Sequence, residues 1–600
     1  MANISKQKRD RMLAFLEELK KTHSDDASIR AFNEIENHLR EKKYGLVWEE
    51  HTEEVDEMLK ENIPVFCEDK ERRLCKDENL PWNFIIEGDN LQALYLLEKT
   101  HRAKVDCIYI DPPYNTGAKD WKYNNDYVDG NDLYRHSKWL SLMKNRLMLA
   151  KNLLNPKTGV IIVAIDDNEL NTLGLLLQEC FPTYKQFCIT VVHNPNGNQG
   201  KNFGVANEFA YFMLPSGEQL LTLENRADSP DIRPLRDVSG NNNMRTDAKN
   251  CFYPIYVKDN EIVGFGEVCD DSFHPNNANI TRSDGIIEIY PIDASGNERK
   301  WVFARHTVES ILDELHVEWN NSRKIFDIIR YKTHFTYKTI WDKKDYNANS
   351  YGSKLVNKIL GEKRFDYPKS LYTVKECIQA VCGNRPNAVI LDFFAGSGTT
   401  MHAVNLINVE LGGNRCCIMA TNNEVSVEEA KKLTQQGYKK GDEEWESLGI
   451  AKYVTWPRTV CSIEGKDING KELKGEYITT TDKKIKMSDG FNANVKYFKC
   501  DWTPRKPEDY LLSNALCLHI KEMIELQTGR EVDGKKNVLI LNRDDFNEYI
   551  LNEETYNTIE NIWLNQNMIL SSEEMKLLNE KGFNYIPREY FGQELREAAE

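Results

Sequence analysis

Residues 105–117 read VDCIYIDPPYNTG. The run VDCIYI has the length and apolar density of a buried strand, and it ends on one carboxylate, Asp111, followed by Pro112, Pro113, Tyr114 and Asn115. Proline fixes φ and carries no N–H, so the chain continues past Asp111 neither as helix nor as central strand. The segment is a rigid loop at the C-terminal end of a strand. In an open α/β sheet that edge is where ligands bind.

On the N-terminal side, NFIIEGD (83–89) predicts a strand and turn and NLQALYLLEKT (90–100) a helix, so with VDCIYI they make a β-α-β unit of a parallel sheet. On the other side, residues 132–155, with Leu133, Trp139, Leu142, Met143, Leu147 and Leu154 apolar, predict a long amphipathic helix. GVIIVAIDD (159–167) is another buried strand, LNTLGLLLQEC (170–180) a helix, and ITVVHN and FAYFMLP two further strands around a Gly- and Asn-rich loop. The pattern stops near Ser216. Residues 217–364 are rich in turn residues between short β-like pieces, which predicts a β-rich insertion. The parallel pattern resumes at NAVILDFFAGSGTT (387–400) and RCCIMATNNE (415–424). Residues 1–80 read as a helical appendage and 429–600 as a small α/β module.

The 600 residues are 40% apolar and 29% charged, enough for real cores and ordinary for a soluble protein. There is no run long and apolar enough to span a membrane and no apolar leader in MANISKQKRDRM, which predicts a cytoplasmic chain. The 14 cysteines form no C-x-x-C pair, so they read as reduced thiols rather than a zinc or redox site. The net charge of −16 argues against a generic polyanion binder. The local balance differs: residues 321–370 hold 12 basic and 5 acidic side chains, whereas 541–600 hold 5 and 13. Only the first stretch suits phosphates.

The second informative loop follows Asp392. Gly396 and Gly398 let the backbone approach a ligand above a helix N-terminus. No lysine precedes Thr399 and Thr400, as a phosphate-cradling loop would require, and Met401 occupies the last position of a would-be G-x-G-x-x-G, which disfavours a dinucleotide.

DPPY with a downstream F-x-G-x-G (Phe394 to Gly398) resembles the amino-methyltransferases that move a methyl group from S-adenosylmethionine to an exocyclic amine of a DNA base. The catalytic loop comes first, an insertion follows, and the cofactor loop is last, an order similar to the beta class. DPPYNTG, SKWLSLMKNRL, GVIIVAIDDNE, GKNFGVANEFAYFM, CFYPIYV, GNERKWVF, KTIWD and FDYPKSLYTV resemble the modification subunits of type III restriction-modification systems. The resemblance implies a Rossmann-like class I α/β fold with a mostly parallel sheet. It divides the chain into a helical region 1–80, a catalytic half 81–216, a target-recognition domain 217–364, a cofactor half 365–428 and a C-terminal α/β domain 429–600.

The resemblance also implies roles. Asp111 and the carbonyl of Pro112 accept hydrogen bonds from the two N–H groups of an adenine amine, Pro112 and Pro113 keep the acceptors still, and Tyr114 stacks on the base. Alignment of this kind contributes up to about 7–11 kcal/mol. Stacking, worth about 1–3 kcal/mol per base, offsets much of the few kcal/mol that extruding the base costs. The cofactor falls to Phe365, Lys369, Asp392, Phe394, Gly396, Gly398 and Thr399, with Glu424 on the ribose. Asp89 faces the same site or caps a helix. Methyl transfer by this route needs no metal, and Asp166 with Asp167 reads as a hydrogen-bond anchor. DNA contacts are expected from Asn115, Asn196, Asn198, Trp301, Tyr331, Tyr337, Trp341, Lys343 and Lys344, although spacing assigns none of them to a particular base. Pro230-Asp231 with Glu298-Arg299-Lys300 mimics a nuclease signature, but GNERKW suits the recognition region better.

Expected partners are double-stranded DNA, a second copy of the chain and a restriction helicase-nuclease, since no Walker A loop is present here. N4-cytosine methylation, or a specificity subunit serving mainly a partner nuclease, remain the alternatives.

Overall fold

Short strands of almost wholly buried apolar residues form the centre of the main sheet, as parallel strands covered on both faces require. The computed structural model describes residues 4–587 and 590, apart from 24, 41–47, 49, 50, 124, 125, 130, 131, 133, 198–201, 218, 228 and 505–513. Two compact units separate: Met1–Leu220 with Thr339–Ile478 and Lys484–Glu600, and Leu221–Lys338 with Thr479–Lys483.

The elements of the first unit's main sheet and its covering helices are β1 (Asn62–Leu74), β2 (Trp82–Glu87), α1 (Asn90–His101), β3 (Cys107–Ile110), α2 (Arg135–Leu153), β4 (Val160–Ile165), α3 (Leu170–Cys180), β5 (Tyr184–Val192) and β6 (Asn207–Pro215), then β7 (Ile340–Trp341), α4 (Leu371–Cys382), β8 (Val389–Asp392), α5 (Thr399–Leu411), β9 (Cys416–Thr421) and β10 (Asn494–Pro504). The ten strands run in the order β1-β10-β2-β9-β8-β3-β4-β6-β5-β7. From β10 to β4 every neighbour is parallel; β6 is antiparallel to both β4 and β5, and β1 to β10. This is the expected α/β fold.

The order locates the crevice. β8 and β3 are parallel neighbours, with Ile390 opposite Cys107 and Leu391 opposite Ile108. From β8 the chain goes to β9 on one side, and from β3 to β4 on the other. Divergence of successive connections opens a gap at the carboxyl ends of the two strands. Asp111 and the 394–398 loop sit at those ends.

Three boundaries differ from the sequence reading. Residues 1–80 are not all helical: β1 is a 13-residue strand paired with β10, and its buried Ile63, Val65 and Phe66 join the main core. β10, expected in the C-terminal module, lies inside the main sheet. Buried Lys496 ties them together, reaching Glu525 at 2.7 Å, Glu68 at 3.1 Å and Glu531 at 3.3 Å. The remaining C-terminal module is a three-stranded parallel sheet, Asn537–Ile540, Asn561–Leu564 and Asn584–Tyr585, with its own core. Residues 339–364 fold with the first unit, because β7 pairs in parallel with β5.

The second unit is β-rich. Its three- and four-stranded antiparallel sheets enclose Leu235, Tyr253, Ile255, Val257, Ile289, Trp301 and Ile328. Among the described residues no helix is long and apolar enough to cross a membrane.

Candidate active site

Trp139 Nε1 of α2 donates to the carbonyl of Pro113 at 2.7 Å, anchoring the DPPY loop. No donor among the described residues bonds the carbonyl of Pro112. Asn115 adopts φ +57°, a conformation Asn tolerates better than most residues. Its side chain is wholly buried and donates to Glu169 Oε1 at 2.6 Å, and His136 Nδ1 bonds that same oxygen. Asn115 therefore braces the loop and cannot touch DNA, contrary to the sequence expectation.

Asp111 carries an unsatisfied acceptor: Oδ1 is buried and makes no hydrogen bond among the described residues. Lys369 Nζ lies 3.4 Å away, an ion pair beyond good hydrogen-bonding distance. That ammonium is bound instead by Glu208 Oε2 and Tyr114 Oη, and it stands 4.5 Å from the centroid of the Tyr114 ring. Burial raises the Asp111 carboxyl above its ordinary value; Lys369 opposes the rise and Glu208 adds to it. Burial alone would lower Lys369, but Asp111 and Glu208 carry it above the usual lysine range.

Beside Asp111 opens a cavity of about 520 Å³. Phe365, Phe393, Phe394, Gly396 and Ile450 supply apolar wall, while Glu53, Glu54, Asp89, Asp111 and Glu424 supply carboxylates against only Arg146 and Lys440. An acidic, aromatic-lined cavity suits a cation with an apolar body. Two further lining residues, Arg146 and Glu53, carried no mark in the sequence: buried Arg146 Nη1 donates to Glu53 Oε1 at 2.7 Å, and Nη2 approaches Asp89 Oδ1 at 3.4 Å. Asp89, expected either to face the site or to cap a helix, does both: it accepts from Leu91 N at 2.7 Å at the start of α1 and lines the cavity.

Of the expected cofactor residues, Phe365, Phe394, Gly396 and Glu424 line the cavity. Asp392 lies beneath it, accepting from Phe394 N at 3.0 Å and from Thr400 Oγ1. Burial raises its carboxyl to about 7 despite those two donors. Gly398 and Thr399 are not on the cavity wall: a Cβ on Gly398 would meet Thr455 Cγ2 at 3.2 Å, and Thr399 Oγ1 accepts from buried Arg458 at 2.7 Å. They shape the loop from behind. Lys369 sits with Asp111, Tyr114 and Glu208 rather than on the cavity wall.

The chain matches the DNA methylase family over residues 105–432, more than half its length. The chain belongs to the DNA methylase family. The family reading drawn from DPPY and F-x-G-x-G is borne out. This methylase is 30% identical over 351 residues to the type II methyltransferase M.KpnI of Klebsiella pneumoniae, covering 56% of this chain and 79% of that one. It is 26% identical to the type III EcoPI Mod subunit of Escherichia phage P1, over 63% of this chain and 64% of the relative. For the StyLTI Mod subunit of Salmonella typhimurium the identity is 28%, over 60% and 55%. The methylase thus spans less than two thirds of either Mod subunit. A solved complex of M1.HpyAVI with SAM aligns at 13% identity over 57% of this chain and 93% of that one, with a TM-score of 0.25, and the fold rests on the strand order instead.

The expected DNA contacts fare unevenly. Trp301 is fully buried in the second unit's core and donates to Tyr253 O at 2.8 Å, so it cannot meet a base. Trp341 is buried against Phe212 and Tyr346 in the first unit. Tyr331 binds Glu318, and Lys343 Nζ reaches Glu376 Oε2 at 3.1 Å. Asn196 and Lys344 are exposed and Tyr337 half-buried, whereas Asn198 lies outside the described residues. Glu298 of the nuclease-like signature is taken by Arg245 at 3.0 Å and His274 at 2.9 Å. Asp166 accepts from Asn168 N at 2.9 Å and Nδ2 at 2.7 Å, a hydrogen-bond anchor.

Sequence reasoning missed Glu208, Trp139 and Arg458. Of these, Glu208 left a faint signal. Glu208 opens the apolar strand FAYFMLP, and a charge at the start of such a strand needs a partner.

Proposed function

We propose that this chain transfers a methyl group from S-adenosylmethionine to N6 of an adenine flipped out of a short double-stranded DNA site. The observation that carries the reading is the buried, unbonded Oδ1 of Asp111 beside an acidic, aromatic-lined cavity. S-adenosylmethionine supplies the methyl group as an electrophile on a cationic sulfonium. Phe365, Phe394, Gly396 and Glu424 hold it, with Asp392 supporting the loop. Asp111 Oδ1 and Pro112 O accept the two N–H bonds of the amine, which leaves the nitrogen lone pair free to point at the methyl group. Trp139 fixes Pro113 and thereby both acceptors. Tyr114 stacks on the extruded base with the ring face that Lys369 leaves open.

The second unit supplies target recognition. Similarity to Mod subunits of type III restriction-modification enzymes supports a separate restriction subunit as partner; a helicase-nuclease activity of that partner, a homodimer as the working form and a cytoplasmic location belong to the same proposal. Whole-genome-amplified DNA, which carries no methylation, incubated with protein and S-adenosylmethionine should yield N6-methyladenine by nucleoside mass spectrometry. N4-methylcytosine instead would move the reading to the other amine, and neither product would refute it.

A further inference from the structure

We propose that Glu208, acting through Lys369, sets the charge and the free lone pair of Asp111, so that Glu208 and Lys369 are positioning residues of the methyl transfer. The inference rests on the methyltransferase reading above and adds residues that lie outside the cavity.

Glu208 stands at the start of β6, which is separated from β3 in the sheet by β4. Its side chain is 9% exposed and that of Lys369 is 11% exposed. Lys369 Nζ binds Glu208 Oε2, and Tyr114 Oη reaches the same oxygen at 3.2 Å. One ammonium thus serves two carboxylates, and it leans to Glu208 while stopping 3.4 Å from Asp111 Oδ1. A buried ammonium without Glu208 has one carboxylate left to pair with. It would close on Asp111 and occupy the acceptor that the incoming amine needs. Without Lys369, two carboxylates would share a buried site and one would take up a proton. Glu208 therefore holds the cation off Asp111, and the cation keeps Asp111 an anion.

Other titratable groups face this cluster. Tyr114 interacts with both Asp111 and Glu208, Tyr109 and Asp392 with Asp111, Cys377 with Glu208, His193 with Glu208 and Lys369, and Asp166 with Lys369. Glu208 raises the Asp111 carboxyl and Lys369 lowers it, so the two substitutions below act on Asp111 in opposite senses. Removing the Glu208 charge lowers the pH at which Asp111 ionises, and removing the Lys369 charge raises it.

The test uses the full chain with whole-genome-amplified DNA, comparing Glu208→Gln and Lys369→Met with wild type. Glu208→Gln should lower kcat by roughly ten- to a hundredfold, the range expected when a charge-assisted contact is lost. Its affinity for S-adenosylmethionine by calorimetry should be unchanged, and the acid limb of its pH–rate profile should move down. In Lys369→Met the same limb should move up. Infrared spectra of protein labelled with ¹³C-carboxyl aspartate, assigned against Asp111→Asn, read the Asp111 protonation directly and without turnover. Should Glu208→Gln not fold, Glu208→Asp keeps the charge and should retain the wild-type limb. A fall in kcat with an unmoved limb, limbs that move the same way, or unchanged infrared titrations overturn the inference. If wild type methylates nothing, the methyltransferase reading falls, while the infrared titration still decides whether Glu208 and Lys369 govern Asp111.

Discussion

Phe365 Cζ lies 3.2 Å from the point where a Cβ on Gly396 would sit, and Gly396 has φ +47°. Two residues of the cavity wall, from segments on either side of α4, thus approach more closely than a side chain on Gly396 would allow without the Phe365 ring shifting by a few tenths of an ångström. A Cβ at Gly396 would push the Phe365 ring and also add about 1–2 kcal/mol of left-handed strain. Gly396→Ala should weaken S-adenosylmethionine binding at least tenfold by calorimetry and lower Tm by a few degrees. An unchanged affinity would remove Gly396 from the cofactor site.

Asp111→Asn keeps the shape of the acceptor and removes its charge. We expect methylation to fall by at least a hundredfold, because a developing positive charge on the amine nitrogen loses its preorganised counter-charge. Full-rate methylation by this variant, followed by nucleoside mass spectrometry, would contradict the assignment of Asp111.

Trp139→Phe keeps the aromatic packing and deletes the donor to Pro113 O. The expected outcome is a several-fold lower kcat with S-adenosylmethionine affinity preserved, since a loosened loop costs alignment rather than cofactor contacts. Loss of affinity equal to the loss of kcat would argue that Trp139 supports the cavity instead.

Asp392 gives a pH signature. Its carboxyl is raised by burial from 3.8 to about 7 in the folded chain, so between those values the folded state holds a proton that the unfolded state has released. Its contribution to stability is complete below the unfolded value and is lost as pH rises through 7. Asp392→Asn removes that dependence. The Tm of the variant relative to wild type should therefore climb between about pH 4 and 7 and level off above; a constant difference across that range would show that Asp392 does not titrate there.

Trp301 provides a control on the recognition unit. Truncating a fully buried Trp costs about 3–5 kcal/mol, so Trp301→Ala should unfold Leu221–Lys338 at lower denaturant concentration. A variant of wild-type stability with altered base preference would reverse the finding that this side chain is core.

The two functional loops were legible in the sequence because their constraints are local. Consecutive prolines after an apolar run allow one backbone course, and Gly396 and Gly398 mark a turn at φ values that other residues avoid, +47° and +79°. The apolar runs of β3, β4, β8 and β9 announced buried parallel strands for the same reason. Side-chain fate was not local. Asn115 follows Tyr114 directly, yet Glu169 buries it; Trp301 has the composition of a base reader, yet its neighbours enclose it. Long-range pairing was equally silent, since β1 and β10 are more than 400 residues apart and neither run carries a mark of the other.

By itself, then, the amino-acid order determined the strands, the two bends at their ends and the family to which they belong, because backbone torsions and apolar runs act over a few neighbouring residues. Only the tertiary structure decided what Asp111 meets. Lys369 and Glu208 are 161 positions apart, and they come together with Asp111 because the sheet order brings the loops after β3 and before α4 to the start of β6. Electrostatic coupling depends on distance in space, and that distance exists only once the sheet has formed.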